Sequence, residues 1–159
     1  MKNLIRKILR EYEEKKILVI PSLTYFNDNW DLLQLFLKSK GNPKWKINGD
    51  LDLNGLEIKS LGNLISVGGN LELFGTSIES LGNLRYVGGY LDLYDTPIKS
   101  LGNLTSVGDF LNLTDSSIKS LGKLQRVGGY LDLINSPLSE KYTEEEIRQM
   151  VKVEGDIYI

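Results

Sequence analysis

Between residues 50 and 129 one 20-residue phrase is written four times: DLDLNGLEIKSLGNLISVGG, NLELFGTSIESLGNLRYVGG, YLDLYDTPIKSLGNLTSVGD and FLNLTDSSIKSLGKLQRVGG. A period this strict demands a stack of near-identical coils, each burying its apolar side chains against its neighbours. Aligning the copies leaves six apolar columns. Two form a Leu-x-Leu phrase: Leu51, Leu71, Leu91, Leu111, Leu131, and Leu53, Leu73, Leu93, Leu113, Leu133. The others run through Ile58, Leu61, Leu64 and Val67 and their equivalents every 20 residues to Ile118, Leu121, Leu124 and Val127. Alternation in Leu-x-Leu predicts a strand with both leucines inward and the middle residue outward. Three apolar pairs per 20 residues suit a coil of three short sides, stacked about 4.8 Å apart as parallel strands.

Two glycine columns fall at the corners. Gly68, Gly88, Gly108 and Gly128 lead into the Leu-x-Leu strand, and Gly62, Gly82, Gly102 and Gly122 follow a Ser-Leu phrase. Each column calls for a backbone angle or a close approach that a Cβ would obstruct.

The ends depart from the repeat. Residues 1–16 read as an amphipathic helix with Leu4, Ile5, Ile8, Leu9 and Tyr12 on one stripe, expected to pack on the body or attach loosely. Residues 17–20 are a β-branched run ended by Pro21, either a strand or a buried connector. Asp28 or Asn29 can cap a helix over Trp30–Ser39, stopped by Gly41 and Pro43. That helix is so apolar that it is expected to cover the first coil. Residues 1–49 thus form an N-terminal cap, with the capping helix at 28–40, and residues 50–138 form the solenoid. Residues 139–159 form a C-terminal cap, in which Thr143 and Glu146 supply a capping box for a helix with Ile147, Met150 and Val151 on its apolar face. Residues 153–159 repeat the strand phrase once more, so the chain reads as complete.

The segment Leu71-x-Leu73-x-x-Thr76-x-Ile78 resembles the Leu-x-Leu-x-x-Asn-x-Leu segment of leucine-rich repeats, with Thr76, Thr96 and Ser116 at the Asn position. The Gly-Gly before the strand departs from that family, and Leu56 stands at the Asn position of the first copy. The Leu-Gly-Asn-Leu-x-x-Val-Gly-Gly-x-Leu-x-Leu wording is closer to receptor-L-domain-like repeats. The MKNLIRKIL start, the WDLLQLFLKSKGNP cap and the EKYTEEEIRQM ending also resemble uncharacterised repeat proteins of tailed bacteriophages. The expected fold is a mainly β solenoid, right-handed and leucine-rich-repeat-like, with helical caps. The resemblance implies a phage-encoded binding or structural module and carries no catalytic residues.

Composition narrows the chemistry. With no His and no Cys there is no imidazole base, thiol nucleophile or thiolate metal site, and no phosphate-binding Gly-rich loop is present. The chain is expected not to be an enzyme and to need no cofactor or metal. No apolar run is long enough to span a bilayer, and no secretory signal is evident at the N-terminus. Asn103 and Asn112, in Asn-X-Thr contexts, read as repeat positions. The net charge of −2 conceals a +3 excess over residues 1–16. Its three acids weaken any membrane-surface reading of that helix.

One constellation stands out. The outward residue of Leu-x-Leu is Asp52, Glu72, Asp92, Asn112 and Asp132, a carboxylate ladder. Tyr90, Phe110 and Tyr130 flank it on one side, after Asn70, and Phe74 and Tyr94 on the other. Carboxylates about 4.8 Å apart repel by up to about 1 kcal/mol per pair. The bland reading is that they are solvated and kept because they oppose edge pairing, while the aromatics stack on one another. The competing readings are a basic partner, a cation and a glycosidase-like carboxylate pair. Aromatics among carboxylates argue against nucleic acid.

The expected function is a protein-binding module, meeting a host or defence protein through Asp52, Glu72, Phe74, Tyr90, Asp92, Tyr94, Phe110, Tyr130 and Asp132. A virion component assembled through the N-terminal helix or stacked ends is the alternative, with self-association open, and a carbohydrate-active enzyme the remote one. Host cytoplasm or virion is the expected location.

Overall fold

A computed structural model describes residues 2–159; Met1, the first residue of the expected 1–16 helix, lies outside them. The chain forms a β-solenoid of about four turns with helices at both ends. Two parallel sheets run its length. The Leu-x-Leu sheet stacks Leu51–Asp52, Leu71–Glu72, Leu91–Asp92, Leu111–Asn112, Leu131–Asp132 and Ile157–Tyr158 in sequence order. The other, here the valine sheet, stacks Leu18–Ile20, Trp45–Ile47, Leu64–Val67, Tyr86–Val87, Ser106–Val107, Arg126–Val127 and Lys152–Val153. The third side of the coil carries only isolated bridges, Ser60 to Ser80 and Ser100 to Ser120.

Register between repeat coils is 20 residues, so each apolar column becomes a row of touching side chains. Both leucine columns of the strand are buried, as are the Val67, Leu64 and Leu61 columns; of the six, only Ile58, in the first coil, is partly exposed. Fully burying each such side chain contributes roughly 2 kcal/mol. A column of hydroxyls also lies inside. Thr76, Thr96 and Ser116 are buried, each donating to the carbonyl three residues back, on Leu73, Leu93 and Leu113 at 2.6–2.8 Å. This explains why threonine or serine serves here: the hydroxyl satisfies a turn carbonyl within its own coil.

The two glycine columns serve different ends. At Gly88, Gly108 and Gly128 an added Cβ would drive into the carbonyl of the glycine one coil earlier. Gly62, Gly82, Gly102 and Gly122 adopt φ of +56 to +59°, and the hydroxyls of Ser60, Ser80, Ser100 and Ser120 accept from their N–H groups at 3.0–3.1 Å. A third left-handed column follows each Leu-x-Leu strand: Gly55, Gly75, Asp95, Asp115 and Asn135, at φ +51 to +69°. Asp and Asn tolerate this region better than other side-chain-bearing residues.

Each end of the valine sheet is finished by imitation of a missing coil. At the start, Leu18–Ile20 forms a strand beside Trp45–Ile47, with Asn48 and Gly49 donating to the Ile20 and Pro21 carbonyls at 2.9 and 3.0 Å. Helix α1 (Lys2–Lys15) packs along this strand with Ile8 buried, and Lys16 ends it at φ +59°. Helix α2 (Trp30–Ser39), N-capped by Asn29, sits in the enlarged loop between the two strands. It buries Leu33 and Leu37 but exposes Leu32 and Leu35. Strand and α1 therefore share the capping expected of α2.

At the other end, helix α3 (Pro137–Lys141) precedes helix α4 (Glu144–Met150), which has the expected capping box. Ile147 and Val151 are buried, whereas Met150, expected on the same face, is exposed. In every earlier coil the valine carbonyl and the one two residues on accept from the next coil; Val127 and Gly129 accept from Glu154 and Gly155 at 3.0 Å. On the last strand Arg148 takes that place, its Nη1 on the Val153 carbonyl at 3.1 Å and Nη2 on the Gly155 carbonyl at 3.0 Å. Glu144 holds the guanidinium at 2.9 Å.

Two outcomes follow. Gly102→Ala, with open space around its Cβ but positive φ, should cost about 1–2 kcal/mol in urea unfolding. Gly108→Ala, which forces two coils apart, should cost more, about 3 kcal/mol. Arg148→Lys should not rescue Arg148→Ala, because an ammonium cannot span both carbonyls as the guanidinium fork does. Both variants should lose amide-exchange protection over residues 152–158.

Candidate interaction surface

The nine sequence-predicted residues all stand on the outer side of the Leu-x-Leu sheet or at its rims. Asp52, Glu72, Asp92, Asn112 and Asp132 form one row in direct register. The row has a local cause. The side-chain oxygens of Asp52, Asp92, Asn112 and Asp132 each accept from the N–H two residues on, at 2.9–3.1 Å. These Asx turns end the strands, and Asp and Asn close them more strongly than Ser or Thr would. Turn closure thus accounts for Asp or Asn at these positions, and Asn112 does it without a charge.

Glu72 breaks the rule, being one methylene longer. Asn54 compensates from the preceding coil: its Oδ1 accepts from the Phe74 N–H at 2.8 Å and its Nδ2 donates to the Glu72 carboxylate at 2.9 Å. The Tyr90 hydroxyl donates to the same carboxylate at 2.5 Å, and Asn112 Nδ2 donates to Asp92 at 3.1 Å. Donors interleaved with acids offset the repulsion along the row. Among the described residues, no group of three or more carboxylates is placed to hold a metal ion.

The aromatic flank is a true stack. Tyr90 and Phe110 have ring centroids 4.5 Å apart at 7°, and Phe110 and Tyr130 4.8 Å apart at 1°. Tyr158 closes the row edge-on to Tyr130 at 5.7 Å. Such pairs contribute about 1 kcal/mol each beyond their buried area. Because the rings face one another along the stack, their edges, not their faces, meet solvent. The row begins where an amide ladder ends, Asp50 accepting from the Asn70 N–H at 2.7 Å and Asn70 from the Tyr90 N–H at 3.1 Å. On the other rim Phe74 and Tyr94 touch at 5.3 Å, tilted by 38°.

Charge on this side is of one sign. Between the glycine corner and the left-handed turn the coils carry Asp50, Asp52, Glu72, Asp92, Asp95, Asp109, Asp115, Asp132 and Asp156, with no Lys or Arg. Sequence reading missed Asp50, Asp95, Asp109, Asp115 and Asp156 as members of the surface, although the 20-residue alignment places each in the same slots. The tyrosine hydroxyls feel this field. Hydrogen bonding to Glu72, then burial, pushes Tyr90 up to about 12. Asp115 beside its hydroxyl raises Tyr94, and burial followed by the Asp132 charge raises Tyr130.

The Asn-X-Thr asparagines serve the coil as expected. Asn112 closes a turn, and Asn103 donates to the Gly82 carbonyl at 3.4 Å. Among the described residues no helix is long and apolar enough to cross a membrane.

Architecture defines the class: a repeat protein built as a solenoid of stacked parallel strands. Comparison with protein families, curated proteins and solved structures finds no match to this chain.

A pH prediction comes from Tyr90. Its folded pKa lies above the ordinary 10, so the stabilisation from its hydrogen bond is present below pH 10 and is lost as pH rises from 10 to about 12. Wild type should therefore lose more stability than Tyr90→Phe over that interval in chemical unfolding. An equal loss would remove the Glu72 bond as its cause.

Proposed function

We propose that the chain is a non-enzymatic protein-binding module whose partner presents a basic surface to the Leu-x-Leu side of the solenoid. The observation that carries this reading is the segregation of charge: nine carboxylates and no cation along the six strands of this sheet and their rims, interleaved with tyrosine hydroxyls and aromatic edges. Aromatic residues are enriched at protein interfaces, and one-signed fields steer oppositely charged partners. Tyr90, Phe110 and Tyr130 turn their faces to one another and present edges to solvent, which favours a protein over ligands bound by stacking on this row. A rigid sheet face also loses little freedom on binding. Carrying the phage resemblance of the sequence into this reading, we propose a phage-encoded module whose partner is a host protein, including a defence component.

The test is affinity capture from host extract with the intact chain, compared with Tyr90→Ala/Tyr130→Ala and with Asp52→Asn/Asp92→Asn/Asp132→Asn. The Asn variants keep the Asx turns, as Asn112 does natively. A partner captured through this face should bind each variant at least tenfold more weakly, the range of interface hot spots. Undiminished capture by both folded variants would place the interface elsewhere.

A further inference from the structure

The valine sheet presents the opposite charge. Its outward positions and their rim carry Lys44, Lys46, Arg85, Lys123, Arg126 and Lys152, against one acid, Glu154. Glu154 is held by Arg126 at 3.4 Å and Lys152 at 2.8 Å, so the remaining cations have no anion among the described side-chain pairs. Tyr86 stands exposed near the middle of this side, paired in register with the small residues Ser66 and Ser106. The molecule is thus basic on one sheet and acidic on the other, with a net charge of only −2.

We propose that the valine-sheet side of one copy docks on the Leu-x-Leu side of a second copy. Three features fit a second copy better than an unrelated acidic protein. Charge is complementary within one molecule, and the small net charge leaves little overall repulsion between copies. Each coil contributes one row to either side, so both surfaces share the same axial repeat and their charges fall in register when two stacks lie side by side. Tyr86 brings a hydroxyl donor and an aromatic body to a surface of carboxylates and ring edges. The contact is heterologous: the pair keeps one unused surface of each kind, one on either copy, and association continues beyond the dimer. Strands of two to four residues make each face narrow, so the association is weak and salt-sensitive. It does not rest on the foreign-partner reading, though both use the acidic side.

Sedimentation velocity of three proteins tests it: wild type, Lys46→Glu/Arg85→Glu, and Asp52→Asn/Asp92→Asn/Asp132→Asn. Neither cation of the first variant makes a side-chain hydrogen bond or ion pair among the described residues. At low salt the wild type should show a weight-average sedimentation coefficient that rises with concentration, and the rise should vanish in about 0.5 M NaCl. Each variant alone should stay monomeric. An equimolar mixture should form a dimer and nothing larger, because each variant supplies the surface the other lacks. Wild type that stays monomeric at low salt, or a mixture that stays monomeric or grows beyond the dimer, would overturn the proposal. The basic-side variant should still capture a foreign partner, which separates failure here from failure of the binding-module reading.

Discussion

Everything in this protein depends on how closely one coil's backbone can approach the next. Parallel strands fix the separation, and the corner at Gly88, Gly108 and Gly128 brings each backbone against the carbonyl one coil earlier. No side chain fits there. Once the corners are in contact, the six apolar columns are forced into register, and so is every outward column. The aromatic stack is a consequence: ring separations of 4.5 and 4.8 Å follow from coils set about that far apart. So is the carboxylate row, which the chain tolerates by interleaving donors.

A stack of identical coils has the problem of where to stop, because each end exposes unpaired backbone. The valine sheet solves it twice with different chemistry. A strand at residues 18–20 stands in for a coil at the start, and the Arg148 guanidinium stands in for two N–H groups at the end. Arginine suits this because its donors form a rigid planar fork, and Glu144 fixes its direction. The terminal helices do more than cover apolar ends; α4 delivers the group that finishes the sheet.

Deviations from the repeat mark two kinds of site. Some are compensated locally, as when Glu72 replaces the turn-closing Asp and Asn54 takes over its hydrogen bond. Others change surface character without cost to the core, as in the column that runs from Asp50 and Asn70 into Tyr90, Phe110 and Tyr130. The scaffold constrains inward positions and leaves outward ones to vary, so acidic and basic sides arise on one rigid body.

The sequence by itself determined the coil, its 20-residue register, the buried columns and the glycine corners, because a repeated pattern reports the same physics four times over. It also turned Asp52, Glu72, Asp92 and Asp132 outward, since alternation in Leu-x-Leu assigns their direction, but it left Asp50, Asp95, Asp109, Asp115 and Asp156 off that side. What only the tertiary structure decided lies where atoms distant in the chain meet. The Asx role of the acids needed the turn that follows each strand, and the face-to-face rings needed the actual coil spacing. Met150 carries an apolar side chain at helical spacing yet faces solvent, because the core beneath α4 is already filled by Ile147 and Val151. Arg148 reads in sequence as an ordinary surface residue. Its role appears only when the last strand is in place, with two carbonyls left over for want of another coil.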